Sequence, residues 1–279
     1  MTAPIARCSQ TLAQAVGGLG LPVPLHQSTE QAPAPAQVLA ATVDDRGANH
    51  EAVLRGSGCG RCFDVAAAAA GVLVLWPALL LVALAILILD GRPVFFRQER
   101  VGLRGRSFWI WKFRTMRPGA RDEEYPLITV AGDPRVTRLG RWLRTFKLDE
   151  WPQLINVLAG EMSLIGPRPE VRRYVDLSQP VWQSVLSVRP GITDLATLAY
   201  VDEERALATH SDLETCYRET VLPAKLALNL RYLERRSRRT DIRLILLTLR
   251  HVLRLGRPGS GWIEDLLEDG APAPTRETR

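Results

Sequence analysis

Cysteine, methionine and lysine are all scarce in this chain of 279 residues, and each shortage narrows the reading. Four cysteines are too few for a disulfide-stapled scaffold of this length. Cys59 and Cys62 form a CGRC pair that could be half of a zinc site, yet Cys8 and Cys216 are distant and the four histidines show no ligand spacing. The pair therefore reads as two incidental cysteines ahead of an apolar run. Only Lys112, Lys147 and Lys225 are lysines among 36 basic residues, so almost all the positive charge is guanidinium. Guanidinium offers phosphate a planar fork of donors, although a GC-rich coding bias would produce the same composition. No internal repeat is visible, and the N-terminus lacks a basic stretch leading into a strong apolar one, so no signal peptide is expected.

A formal charge of +6 and a pI near 9.5 point to an anionic partner. Nucleic acid is a poor candidate, because it would need a recognition helix or a base-stacking sheet and neither is evident. A different feature dominates the chain: residues 65–89 carry no charge at all. As one straight helix this run would extend about 37 Å, against about 30 Å for a hydrocarbon core. Pro77 at its centre removes a backbone hydrogen bond, and arginines flank it on both sides (Arg55 and Arg61 before; Arg92, Arg97 and Arg100 after). Positive flanks stay cytoplasmic. Symmetric ones favour a re-entrant helix, broken at Pro77, over a spanning one.

The expected organisation is a disordered extension over 1–55, a membrane anchor over 56–92, a catalytic domain over 93–255 and a flexible tail over 256–279. The fold class is α+β, mostly helical. PVFFRQERVG and RSFWIWKFRTM, separated by a Gly-containing turn, predict a small β-hairpin. Residues 136–146, 151–158 and 241–255 space apolar residues at helical intervals, with arginines between them in the first and third. Such helices lie in the headgroup region or pack on an ordinary core.

The stretch KLDEWPQLINVLAGEMSLIGPRPE, residues 147–170, holds the candidate chemistry. Asp149 and Glu150 precede a helical run, so they could simply cap it and complement its dipole. They could also divide two tasks, since one carboxylate can attack phosphorus while its neighbour holds Mg²⁺ beside substrate phosphates. Arg168, held between two prolines in GPRP, is preorganised for a phosphate. Lys112 and Arg114 in KFRTM add cations.

These motifs, in this order, closely resemble the bacterial sugar transferases, the monotopic polyprenyl-phosphate phosphoglycosyl transferases. The likeness runs from about Arg61 to Leu255 and includes the proline-bearing anchor, DPRVTRLGRWLRTFKLDEWPQLINVLAGEMSLIGPRPE and RPGITD. The resemblance implies a monotopic protein with its catalytic domain on the cytoplasmic face of the bacterial inner membrane. It implies transfer of a sugar 1-phosphate from a UDP-sugar to a polyprenyl phosphate, with Asp149 as nucleophile and Glu150 as Mg²⁺ ligand. It places Lys112, Arg168 and, less firmly, Asp241 around the substrate, and matches Pro77 to the helix break. Anionic lipids and downstream glycosyltransferases are the expected partners, and a non-catalytic membrane adaptor is the alternative. After RPGIT this chain reads DLATLAYVDEE where larger members read GLWQV, as in a compact branch. Trp76 stands before Pro77 where a small polar residue is frequent. Neither the sugar nor the oligomeric state has a signature in the sequence.

Overall fold

The computed structural model describes residues 58–119, 128–208, 212–256 and 261–268. The expected disordered extension over 1–55 lies outside them. Helix α1, Arg61–Leu89, has a mean hydropathy of 3.0 over its most apolar window and is long enough to cross a membrane. Only Asp64, Ala68 and Ile86 are buried along it, whereas Leu73, Val74, Trp76, Leu81 and Ile88 are open. Pro77, where a break was expected, lies inside this 29-residue helix. Its ring removes a single i to i−4 bond, and the bonds of the neighbouring turns carry the helix past it.

Both ends of α1 are fastened to the same body. At its start, Arg61 donates to the carbonyls of Met162 (3.2 Å) and Leu158 (3.2 Å). One turn on, buried Asp64 accepts from the Ser163 hydroxyl (2.9 Å) and the Leu164 N–H (3.1 Å). At its exit, Arg114 donates to the carbonyls of Asp90, Gly91 and Arg92 at 2.7, 2.7 and 2.8 Å. Ile86 packs there with Phe113 and Leu143.

The expected hairpin is present as β1 (Phe95–Val101) and β2 (Ser107–Phe113), antiparallel with Phe96 opposite Lys112. Alternation along β2 buries Phe108 and Ile110 against Ala68, Val157 and Met162, which seats the hairpin beside α1. Helix α2 (Arg138–Thr145) follows, capped by the Thr137 hydroxyl, which accepts from the Gly140 N–H. A 3₁₀ turn, Leu148–Glu150, and helix α3 (Gln153–Ala159) come next. Strand β3 (Ser163–Ile165) then pairs in parallel with β4 (Gly191–Thr193) around the intervening α4 (Pro180–Val185). That two-stranded sheet was not expected.

The remaining helices are α5 (Leu195–Ala199), α6 (Glu203–Leu207), α7 (Leu213–Cys216), α8 (Leu222–Glu234), α9 (Arg238–Val252) and α10 (Trp262–Glu268). They surround the main core, which includes Ile165, Trp182, Leu195, Leu226, Tyr232 and Leu244. The flexible tail expected over 256–279 is corrected at α10: Trp262, Ile263, Leu266 and Leu267 fall on one helical face and are buried in that core. Helix α9 buries Leu244 but leaves Ile242, Leu246 and Leu249 open along a second stripe, continued by Leu253 at its C-cap.

Candidate active site

Four of the anticipated residues converge. Strand β2 brings Lys112, the turn after α2 brings Asp149 and Glu150, and the loop after β3 brings Arg168. Lys147 enters the 3₁₀ turn in the left-handed conformation (φ 56°), and this sharp change of direction delivers both carboxylates to the interior, where Asp149 is 6 % and Glu150 8 % exposed.

Arg168 is placed by a tight backbone crossing. A Cβ on Gly191 would stand 2.2 Å from the Gly166 nitrogen, and one on Gly166 would stand 2.5 Å from the Arg189 carbonyl, so neither position accepts a side chain. Only two glycines let β3 and β4 approach this closely and turn the GPRP loop inward. The loop is held further by Arg100, which donates to the Pro169 carbonyl (3.1 Å), and by Asp194, whose carboxylate accepts from the Arg168 N–H (3.4 Å) and caps α5 through the Thr197 N–H (2.8 Å).

Glu150 is the hub. It accepts from the Lys112 ammonium at Oε1 (2.9 Å), and Arg168 grips both its oxygens in a fork, with the Oε2 bond at 3.0 Å. Burial alone would raise its pKa, but Arg168, Lys112 and Lys147 outweigh burial and hold it well below the usual carboxylate range. Arg168 moves the opposite way, its charge secured by Glu150 against the penalty of burial. Burial lowers Lys112, with Glu150 opposing.

Asp149 differs from its neighbour in every respect. Burial first, and then the charge of Glu150, push it above the ordinary aspartate value, with Lys112 and Arg144 opposing. Its Oδ1 is buried without a hydrogen-bond partner. It is no helix cap either, since α3 starts from Pro152 with no side-chain cap bond. A desolvated carboxylate beside a fully neutralised one is suited to nucleophilic attack on an anionic phosphate, because the two cations offset the charge the substrate brings.

Two anticipated residues stand apart. Arg114 spends its terminal nitrogens on the three carbonyls after α1 and ties down the anchor. Asp241, fully buried at the start of α9, accepts from the Tyr232 hydroxyl (2.6 Å) and the Cys59 N–H (2.7 Å) and shares no bond with the Glu150 cluster among the described residues. Arg100 and Asp194 were not anticipated; the signal available was that both lie inside the quoted motifs PVFFRQERVG and RPGITD.

No three His, Cys, Asp or Glu side chains group into a metal cage among the described residues. Mg²⁺ needs less than that, one or two carboxylates with substrate phosphates completing the shell. Glu150 Oε2 accepts one hydrogen bond where Oε1 accepts two, so it retains a lone pair for a cation, and the residues fit such a site.

Residues 56–255 match the bacterial sugar transferase family, and the chain belongs to that family. It is 40% identical over 196 residues to the undecaprenyl-phosphate glucose phosphotransferase of Komagataeibacter xylinus, covering 68% of this chain and 35% of that protein. It is 38% identical over 198 residues to the UDP-glucose:undecaprenyl-phosphate glucose-1-phosphate transferase of Caulobacter vibrioides, covering 69% of each. The exopolysaccharide production protein PSS of Rhizobium leguminosarum bv. phaseoli is 36% identical over 204 residues, 71% of this chain and 96% of that protein. The chain thus spans about a third of the Komagataeibacter relative's length and nearly all of the Rhizobium one.

Proposed function

We propose that this protein transfers a sugar 1-phosphate from a UDP-sugar to undecaprenyl phosphate, releasing UMP, as the first membrane step of a polysaccharide or glycoconjugate pathway. The observation that carries the reading is the buried, unpartnered Asp149 set against the Glu150–Lys112–Arg168 cluster. In the first step an Asp149 carboxylate oxygen attacks the phosphorus that bears the sugar. The bond to the bridging oxygen breaks, and its electron pair leaves on UMP. In the second step a phosphate oxygen of the acceptor attacks the same phosphorus, the aspartyl bond breaks, and the carboxylate is restored. Lys112 and Arg168 stabilise charge on the transferring group throughout. Glu150 would hold Mg²⁺ through Oε2, and the cation would offset the charge of the diphosphate.

The seat in the membrane follows from α1. Its open apolar face suits hydrocarbon, and attachment of both ends to one body supports a helix that enters and leaves by the cytoplasmic face of the inner membrane. The open stripe on α9, with Trp142 and Ile155 on α2 and α3, supports contact with anionic headgroups.

UMP release from a panel of UDP-sugars, UDP-glucose first, with undecaprenyl phosphate and Mg²⁺ tests the chemistry. Asp149→Asn should abolish both turnover and the covalent phospho-sugar adduct, and full activity in that variant overturns the mechanism. No UMP release by the native chain from any UDP-sugar favours the adaptor role instead. Thiol labelling near Arg61, where native Cys62 is exposed, and at an introduced cysteine near Arg92 should report the same side of the membrane. Opposite sides would mean a spanning helix.

A further inference from the structure

Gln153 has no role in the scheme above, yet its surroundings single it out. It is fully buried, and neither its Nε2 nor its Oε1 has a hydrogen-bond partner. Burying an amide without a partner is costly, so such a group is rare unless something else completes it. Its neighbours on the same face are completed. Three residues earlier, Glu150 is bonded to Lys112 of β2. Three residues later, equally buried Asn156 accepts from the Trp111 N–H (3.0 Å) and donates to the Trp109 carbonyl (2.8 Å).

Trp151 and Pro152, between the 3₁₀ turn and α3, have helical backbone angles. The bonds here run from i to i−3, from the Trp151 N–H to the Leu148 carbonyl (3.3 Å) and from the Leu154 N–H to the Trp151 carbonyl (3.1 Å), so Asp149 and Gln153 are separated by little more than one tight turn. That relation joins Gln153 to Asp149, whose Oδ1 is the other unpartnered polar atom of this turn. One carries a buried donor and the other a buried acceptor, each without a partner.

We infer that Gln153 is the positioning residue of the nucleophile: its amide donates to Asp149 Oδ1, leaving Oδ2 to form the bond to phosphorus. The inference rests on the reaction proposed above. It assigns Gln153 unequal effects on the two steps. A hydrogen bond at Oδ1 stabilises the free carboxylate more than the acyl phosphate, because bond formation at Oδ2 turns Oδ1 into a carbonyl oxygen. Attack on the UDP-sugar gains nothing from the bond. Breakdown of the adduct gains, since the electron pair of the breaking aspartyl bond returns to the carboxylate and is shared with Oδ1.

The test uses the full chain in nanodiscs, comparing the native protein with Gln153→Met, which keeps the volume and removes the amide. The expected result is a cooperative melting transition lowered by about 3–10 °C, the loss of one hydrogen bond to a charged group with the volume kept. The burst of UMP should persist, while release of the adduct by undecaprenyl phosphate slows about 10- to 100-fold, the range for a hydrogen bond to a charged group. The covalent adduct should therefore accumulate at steady state. Native turnover and native adduct levels in the variant would overturn the inference. So would a melting temperature equal to or above the native value, which means no such bond is made, and so would a variant that fails to fold or whose two steps slow together, since either assigns Gln153 to packing. A native protein that forms no adduct at all would overturn the reaction itself, and that failure is distinct from the others.

Discussion

Glu150→Gln isolates what the buried cluster contributes to folding. The substitution preserves shape but leaves Lys112 and Arg168 facing each other across a neutral amide. Removing one partner of a buried charged pair costs about 3–5 kcal/mol. Here the Lys112 and Arg168 side chains retain 19% and 27% exposure, so water relieves part of the loss, leaving about 2–3 kcal/mol. At about 2–4 °C per kcal/mol for a domain of this size, the melting temperature should fall by about 5–10 °C. Intrinsic fluorescence will report the transition, as the chain has seven tryptophans. The pH dependence gives a second check. Because Glu150 is held below its ordinary value, its contribution is complete above about pH 4.3 and is lost as pH falls through its lower folded value. The gap between native and variant should therefore be full at pH 7 and shrink in acid. A gap under about 2 °C at pH 7, or one that widens in acid, would refute the fork.

Other outcomes follow from the same geometry. Arg114→Ala removes three bonds to the α1 exit and should cost about 2–4 kcal/mol in the melting transition, with Arg114→Lys recovering only part because a single ammonium cannot reach all three carbonyls. Leu246→Asp with Leu249→Asp on α9 should reduce retention on anionic vesicles in a flotation assay while leaving the melting temperature within about 2 °C. Activity should fall in acid with an inflection above the ordinary aspartate value of about 3.9, since burial and Glu150 raise Asp149; a kcat profile flat down to pH 4 would contradict that.

The parts of the site close together in sequence were legible there. Asp149 and Glu150 sit on one turn, and Lys112 and Arg168 carry the residue types that turn requires. Arg114 and Asp241 share those residue types, but whether a guanidinium meets a phosphate or three carbonyls depends on which chain ends fold back upon it. The β3–β4 pair was invisible because three-residue strands have no periodicity to read and their pairing depends on a glycine crossing between distant segments. Helix α10 was hidden by Gly and Pro on either side, although the WIEDLL patch carried the apolar spacing.

Lys112 and Arg114 lie two residues apart on the same stretch of chain, one bonded to Glu150 and the other to the backbone leaving α1. A single short lever thus joins the apolar helix α1 to the Glu150 cluster. Tilting or lifting that helix moves the same segment that sets the ammonium against its carboxylate. Under the proposed function a bilayer around α1 would act on the site itself, and its thickness becomes a variable that turnover should register.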